Sequence, residues 1–146
     1  MNQVNNRWTK AVILILRLII GGIFIYAAIG KIIDPSHFAH DVSAYRILPT
    51  PLVNVFAIFL PYIELLAGIG LLTGFWLDAC SAIISILTVI FLIAAIIAMA
   101  RGLDIECGCF TLSSHGKVGW ELITRDILLL TAVLVISISQ LREKNA

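Results

Sequence analysis

The amino-acid sequence predicts an all-α integral membrane protein, a four-transmembrane-helix bundle with a short amphipathic helix in the first outer loop. Of the 146 residues, 60% are hydrophobic and 13% are charged, and the mean hydropathy is +1.04. Soluble domains are typically about 45–50% apolar and about 25% charged. The chain also contains four stretches of the length that a spanning helix needs, about 20 mostly apolar residues. The length predicts one transmembrane domain, residues 1–146.

The four apolar stretches cover about residues 10–33, 52–73, 77–100 and 118–141. Inside lipid every backbone N–H and C=O must be paired within the segment, so these stretches are predicted helices and not strands. A soluble helical bundle would need a polar face on each helix, and 77–100 has almost no polar residues. The first stretch exceeds the about 7–15 apolar residues of a signal peptide and contains Arg17, so we expect it to be retained.

The segment after the first predicted helix indicates a short surface helix. Proline restricts the residue before it, so the first helix ends near Asp34, which can cap a new helix that has Pro35 at its first position. Phe38, Val42 and Tyr45 follow at i, i+4 and i+7 spacing. This apolar stripe is typical of a helix that lies on a membrane surface.

Four helices place both termini on one side of the membrane and the two longer loops on the other. Basic residues usually favour the cytoplasmic side, but they are equally divided here. The terminal side has Arg7, Lys10, Arg142 and Lys144, and the loop side has Lys31, Arg46, Arg101 and Lys117. Paired thiols function as disulfides in oxidising compartments, so we expect cytoplasmic termini and an extracytoplasmic cysteine loop, with Trp120 at the loop-side interface.

Two charged residues, Arg17 and Glu64, lie inside the first and second predicted helices. Such residues are costly in lipid and usually face a partner in the bundle interior. Counted along the helices, Arg17 lies roughly 9 Å and Glu64 roughly 12 Å from the terminal side of a hydrocarbon core of about 30 Å. The similar depths predict a buried Arg17–Glu64 pair. The pair either fixes the packing of the two helices or lines a site for a polar headgroup or a quinone.

Small residues predict how the helices pack. Gly68, Gly70 and Gly74 are predicted close-packing positions of the second helix, and Pro61 removes one of its hydrogen bonds and is expected to open a kink. Cys80, near the start of the third helix, lies about 30 Å from the next loop, whereas a disulfide needs Cα atoms within about 7 Å. Cys80 is therefore predicted to be a small packing residue.

The loop before the fourth helix contains two cysteines, Cys107 and Cys109, in the sequence DIECGCFTLSSHG. The two can form a disulfide, since Gly108 gives the backbone the freedom that so small a ring needs. A ring of this size adds little stability to the fold. Strained, exposed disulfides are the labile and catalytic ones, which favours a redox role for this pair.

Two other interpretations of the cysteine pair stay open. The disulfide can be purely structural, or the thiols can bind zinc together with His115 and either His37 or His40. A C-x-C spacing does not match the usual C-x₂₋₄-C of zinc sites, so we predict no metal.

The start of the fourth helix carries residues that can support the cysteines. Glu121 and Arg125 have the i, i+4 spacing of a helical ion pair, which at an interface is an ordinary salt bridge. A guanidinium beside the thiols would also favour the reactive thiolate. Trp120, Glu121 and Arg125 are therefore predicted supporting residues.

Four segments of the chain resemble the MauE/DoxX-like family of small four-helix membrane proteins. They are RLIIGGIFIYAAIGKIIDPSHFA in the first helix, LPYIELLAGIGLLTG in the second, RGLDIECGCF in the cysteine loop and GWELITRDILLL in the fourth helix. The resemblance covers nearly the whole chain, and its C-G-C-F element is the most specific part. One departure is Thr111, where the family pattern has a glycine after Phe110.

The resemblance implies a role in methylamine utilisation in the bacterial inner membrane. Family members of the MauE type are associated with maturing a disulfide-rich periplasmic dehydrogenase subunit beside a thioredoxin-like partner. DoxX relatives are linked to membrane oxidoreductase complexes and to quinone, and the family resembles the four-helix membrane enzymes that make disulfides. By this resemblance Cys107 and Cys109 are the redox pair.

The leading hypothesis is thus a membrane thiol–disulfide redox and maturation factor, a possible thiol–disulfide oxidoreductase, with an extracytoplasmic thioredoxin-like partner or client. No haem or flavin motif is visible, so we expect a quinone or a partner protein as the electron acceptor. The alternative is a non-enzymatic membrane anchor or assembly subunit with a structural C-G-C disulfide, and a third hypothesis is transport of a small ligand or metal. The net charge of +1 gives no argument for nucleic acid, and the sequence does not predict the oligomeric state.

Overall fold

The computed structural model describes residues 2–102 and 120–145, without the side chains of 2–6, 121 and 122. Five helices and no strand form within these ranges: α1 Asn2–Ile33, α2 Pro35–Ala44, α3 Thr50–Thr73, α4 Leu77–Ala100 and α5 Trp120–Asn145. The segments Arg7–Ile33, Thr50–Thr73, Leu77–Ala100 and Ile123–Asn145 are long and apolar enough to cross a membrane. The predicted all-α membrane bundle is confirmed.

The helix bounds agree closely with the sequence prediction in the middle of the chain and differ at its ends. Helix α4 has the predicted bounds, and α3 begins two residues before the predicted residue 52. Helix α1 begins at Asn2 and α5 continues to Asn145, beyond the predicted 10 and 141. Apolar patterning marks the part of a helix that lies in lipid, whereas the backbone stays helical beyond it through polar residues.

Helix α2 begins with the predicted cap. A side-chain oxygen of Asp34 accepts a hydrogen bond of 3.0 Å from the backbone N–H of His37, and Pro35 is the first helical residue. Phe38, from the predicted apolar stripe, is buried against Ala57 and Leu60 of α3. The inner face of α2 therefore packs on the bundle, which the surface-helix prediction did not include.

Helices α1 and α3 cross closely at a pair of glycines. A Cβ atom added to Gly21 would lie 2.8 Å from Cγ of Leu72 and 3.0 Å from the carbonyl oxygen of Gly68. A Cβ atom added to Gly68 would lie 2.9 Å from Cγ1 of Ile25. The close packing predicted at Gly68 is therefore present.

The α3–α4 turn uses the other two glycines differently. Gly70 contacts the Sγ atom of Cys80, so this cysteine packs the two helices together, as predicted. Gly74 ends α3 in the left-handed conformation, with φ of 81°, and its N–H donates to the carbonyl oxygen of Gly70. Gly74 is thus a helix cap, which accounts for its position better than the predicted close packing does. Helix α3 continues unbroken through Pro61.

Among the residues that the structure describes, two apolar clusters fill the bundle. The larger lies toward the termini and consists of Ile20, Phe24, Ala67, Leu71, Ile84, Val133 and Ile136. The smaller lies beneath α2 and consists of Phe38, Ala57, Leu60 and Leu87. In α3, Glu64 lies between Leu60 of one cluster and Ala67 of the other, so a polar layer separates the two.

Candidate functional site

A buried ion pair between Lys31 and Glu64 forms the centre of this polar layer. The Nζ atom of Lys31 donates to both carboxylate oxygens of Glu64 at 2.7 Å, and the two residues are 3% and 1% exposed. The same ammonium lies 5.0 Å from the ring centre of Phe38 and 4.9 Å from that of Phe91. A carboxylate and two aromatic rings therefore replace the water that a free ammonium would hold.

The antiparallel packing of α1 and α3 brings these two side chains together. Gly68 contacts Ile25 and the carbonyl oxygen of Gly21, so Glu64, one turn earlier in α3, faces the last turns of α1. Helical side chains tilt toward the N-terminus of their own helix. The side chain of Glu64 therefore points toward the loops, while that of Lys31 points back into the bundle, and the two meet.

The predicted Arg17–Glu64 pair is wrong. Arg17 instead donates from Nε and Nη2 to the carbonyl oxygen of Leu71, at 3.1 and 3.0 Å. Its side chain tilts toward the N-terminus of α1, away from Glu64. The sequence estimate compared only the depths of the two residues and did not include the direction of their side chains.

Lys31 was counted among the loop-side charges, although the sequence holds a signal for its burial. It lies four residues after Ala27 and seven after Phe24, which places all three on one face of α1. Ala27 and Phe24 are buried, so this face points into the bundle. A lysine on such a face, in the last turn of a spanning helix, is a candidate partner for an acidic residue in a neighbouring helix.

Helices α4 and α5 complete the polar layer with Thr88 and Asp126. Asp126 is 6% exposed, and its Oδ1 atom lies 3.3 Å from Nη2 of Arg125. The hydroxyl of Thr88 donates to the carbonyl oxygen of Ile84 at 2.7 Å. Thr88 and Asp126 line a cavity of about 30 Å³ together with the Lys31–Glu64 pair. A polar cavity of this size has room for a water molecule. We call it the polar cavity.

A larger cavity of about 170 Å³ adjoins the polar cavity on the side of α2. Its walls include Phe38, Tyr45, Phe56 and Phe91, and Asp126 lines both cavities. Asp41 of α2 also lines it and lies 3.2 Å from Nδ1 of His37. This space, which we call the aromatic cavity, can hold a small ring beside a buried carboxylate.

The predicted redox pair, Cys107 and Cys109, lies outside the described residues, as do Thr111 and His115. Within the described ranges no cluster of three potential metal ligands forms. The candidate zinc site would need the undescribed loop, so it stays untested.

The predicted supporting residues are placed in part. Trp120 is 72% exposed at the start of α5. Arg125 contacts Asp126. The side chain of Glu121, its predicted partner, is not among those that the structure describes. Asp126 lies six residues after Trp120, roughly 9 Å along α5. Both cavities are therefore near the end of the bundle from which the cysteine loop extends.

Comparison with known proteins gives one consistent result. Residues 9–138 match the family model described as methylamine utilisation protein MauE. A relative from Paracoccus denitrificans is 29% identical over 84% of this chain, and one from Methylorubrum extorquens is 35% identical over 68% of it. A third, from Paracoccus versutus, is 27% identical over 82%. All three have the name methylamine utilization protein MauE.

The matches span only part of the relatives. They cover 66% of the first relative, 54% of the second and 64% of the third. No solved structure matches the chain.

Proposed function

We propose that this chain, which belongs to the MauE family of methylamine utilisation proteins, is a membrane thiol–disulfide redox and maturation factor. The observation that carries the proposal is the C-G-C pair, Cys107 and Cys109, in the segment that joins two spanning helices. A C-x-C spacing allows the two thiols to form a disulfide, and we expect a loop between spanning helices to be open to a water-soluble partner. Family membership supports a role in methylamine utilisation, since the curated relatives are named for that process.

The proposed chemistry is disulfide exchange. A thiolate of a reduced partner attacks the Cys107–Cys109 disulfide and forms a mixed disulfide, which the partner's second thiol then resolves. The partner loses two electrons and two protons and gains a disulfide, while the C-G-C pair becomes a dithiol. The relative reduction potentials set the direction, so the same exchange in reverse would reduce a client.

The proposed partner is an extracytoplasmic thioredoxin-like protein or a disulfide-containing client such as a dehydrogenase subunit. We place the protein in the bacterial inner membrane with cytoplasmic termini and the C-G-C loop outside. A membrane quinone is the proposed electron acceptor, since it accepts two electrons and two protons within the bilayer.

The proposal is tested by replacing the loop cysteines with serine. We expect Cys107→Ser/Cys109→Ser to abolish partner oxidation, and one of the two single variants to trap a mixed disulfide that mass spectrometry identifies. Cys80→Ser is the matched control, because this residue packs between α3 and α4, and it should leave oxidation unchanged.

Partner oxidation that persists in the double variant would exclude the relay. Thiol labelling before and after mild reduction separates the relay from a membrane anchor. A C-G-C bond that resists mild reduction and traps no partner is the result expected of a structural disulfide in an assembly subunit.

A further inference from the structure

The charged residues that line the aromatic cavity are acidic. Asp41 of α2 and Asp126 of α5 are each 6% exposed, and no lysine or arginine lines this cavity among the residues that the structure describes. Lys31 and Arg125 line the polar cavity instead, where each contacts one carboxylate. Of the described residues that line the two cavities, three are acidic and two are basic. Buried charges are normally paired with opposite charges, so this lining favours a cationic ligand over an anionic one.

Aromatic rings give the same cavity the surface that a quaternary ammonium group prefers. Four of its described lining residues are aromatic: Phe38, Tyr45, Phe56 and Phe91. A cation within about 6 Å of a ring centre is attracted by the face of the ring, and cages of such rings bind choline. The ammonium of Lys31 already makes two such contacts, with Phe38 and Phe91. Tyr45 and Phe56 line the aromatic cavity and not the polar cavity, so their rings can serve a ligand.

The size of the aromatic cavity favours a trimethylammonium group over a primary ammonium. Its volume of about 170 Å³ is close to that of an apolar cavity of about 150 Å³ known to hold one benzene molecule. A trimethylammonium group is about as bulky as a benzene ring, whereas a primary ammonium would leave most of the space empty. A trimethylammonium group also has no N–H donor, so it needs no hydrogen-bond acceptor when it leaves water.

An apolar groove continues from this cavity along the outer side of α3. The groove follows the exposed side chains of Leu52, Val55 and Phe59, and it shares Leu48 and Phe56 with the aromatic cavity. Because α3 is a spanning helix, its exposed apolar side chains face lipid. A cavity that continues into a lipid-facing groove is open to a ligand from the bilayer, and the groove offers an apolar surface for an acyl chain.

Arg46 lies beside the aromatic cavity in a strained backbone conformation. Its φ of 50° is in the left-handed region, which a residue other than glycine adopts only where the surrounding structure holds it. Its neighbours Tyr45 and Ile47 both line the cavity, while Arg46 itself is exposed. A guanidinium matches the geometry of a phosphate group. A ligand with a phosphate next to its trimethylammonium group can therefore use Arg46 and the acidic cavity together.

We propose that these features form one binding site for phosphatidylcholine. The trimethylammonium group occupies the aromatic cavity beside Asp41 and Asp126. The phosphate contacts Arg46, and one acyl chain follows the groove on α3. Phosphatidylethanolamine has a headgroup that fills less of the cavity, and phosphatidylglycerol has no cationic group, so the site selects phosphatidylcholine over both. Binding uses neither Cys107 nor Cys109, so this site goes beyond the proposed redox function and is tested apart from it.

Native mass spectrometry of the full chain tests the proposal. The detergent-solubilised protein is incubated with an equimolar mixture of phosphatidylcholine, phosphatidylethanolamine and phosphatidylglycerol that have different, interchangeable acyl chain lengths, so that each bound lipid has its own mass. We expect one phosphatidylcholine per chain, retained at least about fivefold more than either other lipid, since one cation–π contact is worth roughly that factor.

Two variants in the cavity wall locate the site. Phe56→Leu keeps an apolar side chain but removes one ring, so it should weaken phosphatidylcholine binding at least about fivefold. Its control is Phe59→Leu, which lines only the groove and should leave the selection unchanged. Ala94→Trp should fill the cavity and abolish the selection. Ile93 is exposed one residue earlier in α4, so Ile93→Trp should retain it.

Two further variants separate the headgroup charges. Asp41→Asn should reduce the preference for phosphatidylcholine over phosphatidylglycerol, whereas Asp78→Asn, at an exposed position of α4, should retain it. Arg46→Gln should weaken the binding of phosphatidylcholine, because it removes the contact with the phosphate. Arg142→Gln, at an exposed position near the end of α5, is its control and should have no effect.

Several results would overturn the proposal. Equal retention of the three lipids by the unmodified chain would exclude the site, as would equal phosphatidylcholine binding by Phe56→Leu and Phe59→Leu. Preferred retention of phosphatidylethanolamine would assign the cavity to a primary ammonium. Displacement of the lipid by an equal concentration of tetramethylammonium chloride would assign it to a free quaternary ammonium ion instead of a lipid.

Discussion

Lys31 is a charged residue held inside an apolar bundle by three neighbours. Glu64 neutralises its charge at 2.7 Å, and the rings of Phe38 and Phe91 cover two further sides of the ammonium. Each of these contacts is strong only because water is excluded, and each ring is worth about 2 kcal/mol when desolvated. The stability of the protein should therefore fall strongly when one member of the pair is removed, and much less when both are replaced by apolar residues.

We expect Lys31→Met to lower the free energy of unfolding by about 3–5 kcal/mol, since it leaves the carboxylate of Glu64 buried without its partner. Lys31→Met/Glu64→Leu should recover most of this loss, because two apolar side chains then fill the space. Thermal unfolding of the detergent-solubilised protein measures both.

The control for this pair is Lys10→Met. Lys10 lies 3.2 Å from Glu143, but both side chains are exposed, so this ion pair contributes little. If Lys31→Met/Glu64→Leu were as unstable as Lys31→Met, the unpaired carboxylate would not be the cause of the lost stability. The loss would then come from the missing contacts between the ammonium and the two aromatic rings.

The presence of charges in the bundle could be predicted from sequence, but not their pairing. Arg17 and Glu64 were expected to have partners and each has one, Glu64 in the buried interior and Arg17 at a partly buried position. Which partner each one takes depends on the direction of its side chain and on the crossing of α1 and α3. Both properties follow from the three-dimensional packing, and comparing how deep two residues lie in the membrane does not reveal them.

At the scale of the helices, two adjacent glycines in α1 have opposite environments. A Cβ atom on Gly21 would meet the backbone oxygen of Gly68, whereas a Cβ atom on Gly22 would meet nothing within 4 Å. The glycine pair Gly21 and Gly68 therefore sets how close α1 and α3 approach, and with it the register that aligns Lys31 with Glu64.

We expect Gly21→Ala to destabilise the protein by about 1–3 kcal/mol relative to Gly22→Ala. Both changes raise helix propensity by about the same amount, up to about 1 kcal/mol, so their difference isolates the packing effect. Unfolding curves of the two variants in the same detergent supply the measurement. Equal stabilities would mean that α1 and α3 can separate without loss.

The first and last residues of the helices were the most predictable part of the fold. A run of apolar residues and a proline cap are local features, and they place α2, α3 and α4 within two residues of the structure at their starts. The contact of α2 with α3 through Phe38 was not predicted, because an apolar stripe alone does not distinguish a membrane surface from a neighbouring helix.

At the scale of the whole molecule, the bundle has two distinct ends. One end holds the α3–α4 turn at Gly74–Trp76 and both termini, and the other holds α2 and the ends of α4 and α5 that the cysteine loop joins. The two cavities lie toward the second end. The sequence predicted this topology from the even number of helices, but the cavities required the packing of four helices at once.

The two ends are expected to face opposite sides of the membrane. In a background with Cys80→Ala, Cys107→Ser and Cys109→Ser, a membrane-impermeant maleimide added to intact cells should label Ser36→Cys and Gly102→Cys. Phe75→Cys should react only after the membrane is opened, because the α3–α4 turn lies at the other end of the bundle.

Labelling of Ser36→Cys and Phe75→Cys from the same side would contradict the four-span topology. The reverse pattern, with only Phe75→Cys labelled in intact cells, would place the C-G-C loop in the cytoplasm.

The Lys31–Glu64 pair also bears on the order in which the chain is assembled during synthesis. Lys31 lies in the last turn of α1, where a long side chain can still reach the headgroup region. Glu64 lies near the middle of α3 and cannot reach water from there once it is in lipid. We therefore expect α1 to stay close to the emerging α3 during insertion, so that the carboxylate enters the bilayer against an ammonium that is already in place.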